Sequence, residues 1–194
     1  MNTYTLNLKP LAAKITVEHF EQLCQLNPDL KLETNHYGEL IVMSPTGYET
    51  GMNNAGLIAQ FWIWNRQYKL GVVCDSSTGF ILPNGAIRSP DLSWIAKERL
   101  TRFSKKEKQK FLPLTPDFVL ELMSPSDKLK DIQAKMQEYR DNGVKLGWLI
   151  NPQQQQVEIY RQDESMEVTN KPSTLSAEEL LPNLVIELDF VWQE

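Results

Sequence analysis

Cysteine is scarce in this chain. Cys24 and Cys74 stand far apart, without CxxC spacing, and only His19 and His36 could accompany them. That excludes a disulfide framework and leaves no ligand set for a thiolate zinc site. A metal here would take oxygen ligands, which favours hard cations such as magnesium, manganese or calcium. Long apolar runs are also missing: none approaches the roughly 18 residues of a membrane span. The opening stretch "MNTYTLNLKPLAAKIT" has no basic segment followed by an apolar core, so it does not read as a secretory signal. The expectation is a cytoplasmic protein with no membrane association. Surplus positive charge is the third absence. A formal net charge of −5 argues against coating nucleic acid by bulk phosphate neutralisation.

What is present is an ordinary globular composition. The chain has 194 residues, 41% of them hydrophobic and 23% charged, with five tryptophans, six tyrosines and seven phenylalanines. That is enough for one substantial core and short for two, so residues 1–194 are expected to form a single domain with its core over about 15–190. One local stretch departs from the acidic balance. "KERLTRFSKKEKQK", residues 97–110, holds seven Lys or Arg against two Glu. It reads either as a solvated surface or as a flap facing phosphate.

The order of elements predicts a mixed α/β domain. Val17, Phe20, Leu23 and Leu26 recur at helical spacing behind Thr16, a cap candidate. "LKLETNHYGELIVMSP" reads as a hairpin turning at "NHYG", and a second helix is expected over about 50–69. Strands follow, among them "DLSWI" behind Pro90 and the apolar "FVLELM". "SPSD" then has the form of a capping box opening a helix that Gly143 stops. "GWLINP", "QVEIYRQ" and "VIELDFVW" complete the strands. Periodicity leaves the strand order open.

One residue is out of place in this pattern. Glu121 sits in an otherwise apolar run, where an unpaired carboxylate costs several kcal/mol or takes up a proton. Alternation puts Val119, Glu121 and Met123 on one face and Phe118, Leu120 and Leu122 on the other. Asp91 opens an earlier strand. If the two strands are neighbours, both carboxylates reach one end of the sheet, where a hard cation would be the natural third partner. The plainer readings are a turn aspartate and a glutamate in a structural ion pair. On the following helix Leu129, Ile132, Met136 and Tyr139 form an apolar stripe, and Lys135 lies at its polar border. From there its amine could reach Glu121, or could simply be solvated.

The segments "GELIVMSPTG", "RSPDLSWI", "PDFVLELMSPSD", "KMQEYRDNGVKLGWLINP" and "QVEIYR" together resemble the Uma-type restriction endonuclease family, within the PD-(D/E)XK nuclease superfamily. The resemblance implies a restriction-endonuclease-like central mixed sheet flanked by helices, with an N-terminal helix and hairpin. It implies that Asp91 and Glu121 are metal-binding carboxylates and that the Leu122 backbone carbonyl is a further ligand. Met123 stands where the superfamily motif has lysine, and Lys135 is the matching candidate on the next helix. The family pattern also suggests one more acid from the early helix, with Glu49 the first candidate and Glu33 the second.

The implied activity is hydrolysis of DNA phosphodiester bonds by a Mg²⁺- or Mn²⁺-dependent endonuclease, with Asp91, Glu121 and Lys135 as the catalytic set. A catalytically silent nuclease-fold module, binding or regulatory, is the alternative, suggested by Met123 and the acidic net charge. A homodimer is compatible with "FWIWNRQY", as is a core helix.

Overall fold

The computed structural model describes residues 3–6, 15–162, 165–177 and 180–193. Most of the N-terminal stretch read for a leader lies outside them. Among the described residues no helix is long and apolar enough to cross a membrane.

The chain begins with β1 (Thr3–Leu6), α1 (Val17–Leu26) and the hairpin β2 (Lys31–Thr34) and β3 (Leu40–Met43). Thr16 caps α1, its hydroxyl accepting from the His19 amide at 3.2 Å. The long helix α2 (Tyr48–Tyr68) leads to β4 (Gly71–Asp75), the short β5 (Phe80–Ile81) and β6 (Ile87–Arg88), and then β7 (Leu92–Ala96). The basic segment follows as two short 3₁₀ turns, Lys97–Leu100 and Glu107–Gln109. Beyond it come β8 (Phe118–Leu122), α3 (Leu129–Asp141), β9 (Leu146–Asn151) and β10 (Gln156–Arg161). The chain then forms β11 (Glu167–Asn170), β12 (Thr174–Ser176) and β13 (Val185–Glu187).

Among the described residues the strands form a sheet in the order β11-β10-β9-β8-β7-β4, a second sheet in the order β1-β3-β2-β6-β5, and the pair β12-β13. The larger sheet is mixed. β8 and β9 are parallel, joined by α3 as the crossover, while β7 and β4 run antiparallel to their neighbours. This is the mixed α/β architecture expected from the order of elements.

The side chains of β8 show how the layers are built. Phe118, Leu120 and Leu122 point into a core with Leu57, Phe61 and Trp64 of α2. The Phe118 ring meets Trp148 of β9 edge-on, with centroids 4.9 Å apart. Val119 and Met123 point the other way, against Met136 and Tyr139 of α3. The second sheet turns Leu32, Leu40 and Ile87 toward Phe20 of α1. Alternation then aims Glu33 and Arg88 at α3.

Two sequence expectations change. "SPSD" does not open the helix. The Asp127 carboxylate accepts from the Ser124 amide and hydroxyl at 2.8 and 2.9 Å, and the Asp127 amide donates back to the Ser124 carbonyl at 3.0 Å. These bonds close a separate turn, and α3 starts behind Lys128. "VIELDFVW" is a strand only through Glu187, because Asp189–Val191 tightens into a 3₁₀ turn that buries Val191.

Gly71 marks where β4 lies tightest against its sheet neighbour β7. A Cβ there would lie 2.3 Å from the Ile95 carbonyl oxygen, whereas at the helical Gly51 it would meet nothing nearer than 3.9 Å. We expect Gly71→Ala to lower unfolding free energy by about 1–3 kcal/mol. Gly51→Ala should raise it by about 0.5–1 kcal/mol. Urea denaturation of the two variants checks both signs.

Candidate active site

Strand register builds the centre of the site. Leu92 pairs with Leu120 in the antiparallel β7–β8 ladder, so one step further Asp91 stands opposite Glu121. Opposed residues of an antiparallel pair share a face, and here that face is the one α3 covers. One Asp91 oxygen accepts the Leu122 amide at 3.0 Å, and the other lies 3.7 Å from the Lys31 amine. Glu121 is 5% exposed. Its Oε1 accepts from the Lys135 amine at 2.8 Å and from the Tyr139 hydroxyl at 2.9 Å.

Lys135 is shared. Its amine also donates to Glu33 Oε1 at 3.0 Å. Glu33 is held in turn by the Ser89 amide at 2.9 Å and by Arg88 at 3.0 Å. The same guanidinium donates to Glu138 at 2.6 Å, and Glu138 meets His36 at 3.1 Å. Residues of β2, β6, β8 and α3 are thus tied into one buried network around two cations.

The two buried glutamates respond oppositely. Burial pushes the Glu33 carboxyl up, but Lys135, Arg88 and the Ser89 amide outweigh it and hold it down at about 2. Burial also pushes Glu121 up. Lys135 alone offsets this only in part, the charges of Asp91 and Glu33 add to it, and Glu121 rises to about 7. Lys135 itself is held protonated, because its two carboxylates outweigh the cost of burying it. Glu121 is therefore the acid short of positive charge.

Asp91, Glu121, Leu122 and Lys135 line one cleft of about 250 Å³, together with Thr46 just ahead of α2 and Thr50 and Asn54 in its first turns. Among the described residues no three His, Cys, Asp or Glu side chains form a ready cation cage. The anionic donors at the cleft are carboxylate oxygens, and Glu121 is destabilised as an anion by burial and by Asp91. This donor set fits a hard cation that keeps several waters.

The sequence-derived candidates separate here. The fold brings Asp91, Glu121, Leu122 and Lys135 together. Glu49 does not join them: it is exposed in the first turn of α2 and lines a neighbouring hollow with Met123 and Pro152. Glu33, the second candidate, is the acid in contact with Lys135. Met123 is buried against α3, and Lys135 reaches Glu121 from that helix. Sequence reasoning missed Lys31, Arg88 and Tyr139. The alternation of Lys31 and Glu33 about Leu32 on the first hairpin strand was the available signal.

The basic segment lies elsewhere. It leaves β7 beside Asp117, a buried acid met by Arg99 and Lys145 at 2.9 Å each. Asp117 precedes β8, whereas Glu121 and Asp91 mark the opposite end of the β7–β8 pair. Lys110 is spent on Glu21 of α1 at 2.8 Å. The surface reading of this segment fits the fold better than a flap over the cleft.

Glu33→Gln should lower stability at neutral pH by on the order of 3 kcal/mol, since it leaves two buried cations short of a partner. The native carboxyl titrates below its unfolded value, so its contribution is present above about pH 4.5 and is lost as pH falls toward about 2. The difference between native and variant denaturation curves should shrink across that window.

A family model described as "Uma2: Putative restriction endonuclease" matches residues 17–189. A crystal structure described as a "putative nuclease belonging to DUF820" from Anabaena variabilis is similar in fold, with a TM-score of 0.76 at 18% sequence identity. The match covers 92% of this chain and 97% of that one. No curated protein matches the chain. With the family model spanning the sheet, the crossover helix and the cleft, the chain belongs to the Uma2 family.

Proposed function

We propose that the protein is a cytoplasmic, metal-dependent endonuclease that hydrolyses phosphodiester bonds of DNA. The observation that supports this reading is the meeting of Asp91, Glu121 and Lys135 at one cleft, with Lys135 2.8 Å from Glu121 although Met123 occupies the strand position where the superfamily has lysine. The family description supports nuclease chemistry.

The carboxylates of Asp91 and Glu121, with the Leu122 carbonyl, would hold Mg²⁺ or Mn²⁺. When bound, the ion supplies Lewis acidity toward a phosphoryl oxygen and lowers the pKa of a water. Asp91 is oriented by the Leu122 amide and Glu121 by the Tyr139 hydroxyl, so both acids are fixed before substrate arrives. Lys135 places a fixed positive charge at the cleft, where it stabilises the charge that develops on phosphate oxygens. Glu33 and Arg88 act through Lys135 as positioning residues: Glu33 grips the amine, and Arg88 grips Glu33. The cleft-lining Lys31 adds a second cation beside Asp91.

A second reading, a catalytically silent module that retains the nuclease fold, draws on the engagement of Lys135 by two carboxylates and on the burial of Met123. One experiment separates the two. Supercoiled plasmid and single-stranded DNA are incubated with Mg²⁺ or Mn²⁺ and the native chain, Asp91→Ala, Glu121→Ala or Lys135→Ala. Cleavage by the native chain and losses of at least about 100-fold in the variants are expected. Equal cleavage by native and Glu121→Ala protein, or none by either, overturns the proposal. Calorimetric titration of Mn²⁺ then tests the silent module, which should show no binding that depends on Asp91 and Glu121.

A further inference from the structure

The long helix α2 has two apolar faces and the fold uses only one. Leu57, Phe61 and Trp64 are buried against the larger sheet. On the opposite side Tyr48 is 86% exposed, Met52 47%, Trp62 50% and Ile63 66%, with Ala55 and Ala59 exposed between them. No charged residue occurs from Thr50 through Asn65. A helix apolar all round is normally covered all round, and a surface helix usually carries charge on its solvent side. Scattered exposed apolar residues need no explanation, but this set is contiguous.

The pattern of the stripe is specific. Tyr48, Met52, Ala55, Ala59, Trp62 and Arg66 alternate spacings of four and three, the seam that packs one helix along another at a shallow angle. The helix carries charge only at its ends, Glu49 in the first turn and Arg66 in the last, with Lys69 just beyond. Two copies laid antiparallel bring Glu49 of each toward Arg66 of the other. The same arrangement opposes the helix dipoles and sets Met52 of one copy against Trp62 and Ile63 of its mate. A parallel pair would stack like charges at both ends. Ala55 and Ala59 fall near the midpoint, where two helices must come closest.

We infer that the exposed face of α2 is a self-association surface on which a second copy of this chain docks antiparallel about a two-fold axis near Leu57 and Ile58. A stripe about 30 Å long and about 10 Å wide on one helix offers roughly 300 Å², less than the roughly 800 Å² per partner of a standard stable interface. The dimer is therefore concentration-dependent. Thr50 and Asn54 on the flank of the same helix line the cleft, so the axis also relates two clefts. The inference rests on α2 alone and stands whether or not the cleft cuts DNA.

Sedimentation equilibrium of the full chain across the micromolar range tests it. The native chain should show a monomer–dimer equilibrium, and Ile63→Glu should be monomeric with an unchanged thermal midpoint. Glu49→Arg should weaken the dimer on the order of tenfold, and adding Arg66→Glu to it should restore the affinity. A native chain that stays monomeric throughout, or a dimer indifferent to Ile63→Glu, overturns the surface. Failure of the double variant to recover overturns the antiparallel arrangement. Circular dichroism on each variant separates lost association from lost fold.

Discussion

The structure turns on the burial of Lys135 between Glu33 and Glu121. A lysine amine taken out of water without partners costs several kcal/mol, and so does either carboxylate. Each is tolerable only if the others arrive at about 3 Å. They come from three places, the hairpin strand β2, the central strand β8 and the crossover helix α3, so one electrostatic requirement fixes how the two sheets and the helix meet. Arg88 extends the requirement to β6 and, through Glu138, back to α3. Apolar packing alone would set the distance between these layers. The ion network sets their register.

The same network divides labour between two glutamates that look alike in sequence. Glu33 receives two cations and a backbone amide, which makes it a structural anion. Glu121 receives one amine that it must share, plus a neighbour of like charge in Asp91. At the other end of β8, Asp117 is as buried as Glu33 and as well supplied, with Arg99 and Lys145 both in contact. Burial of an acid therefore does not single out Glu121; a shortage of countercharge does.

The fold was legible to the extent that local rules decided it. Alternation in "FVLELM" gave both faces of β8, the helical stripe from Leu129 to Tyr139 gave the buried side of α3, and Thr16 and Gly143 marked helix ends. The capping box at "SPSD" misled because the same reciprocal bonds can close an isolated turn. Asp91 and Glu121 could be paired once their strands were taken as neighbours, and Lys135 could be placed within reach by helical geometry. The family resemblance supplied the roles. That Glu33 rather than Glu49 meets Lys135 depends on the docking of one sheet against a helix far away in sequence, and no local pattern records that. Arg88 was hidden for the same reason, since its two carboxylate partners lie about fifty positions away on either side.

Placing the lysine on the crossover helix also has a consequence for the order of assembly. A strand that carries its own lysine beside its own acid has both groups as soon as the strand forms. Here β7 and β8 can pair and present Asp91 and Glu121 with no cation between Glu121 and the hairpin. The amine arrives only when α3 folds back across the sheet, a step that also delivers β9 to its parallel position. Until that closure the acids stand without their partner, so completion of the cleft requires the docking of α3.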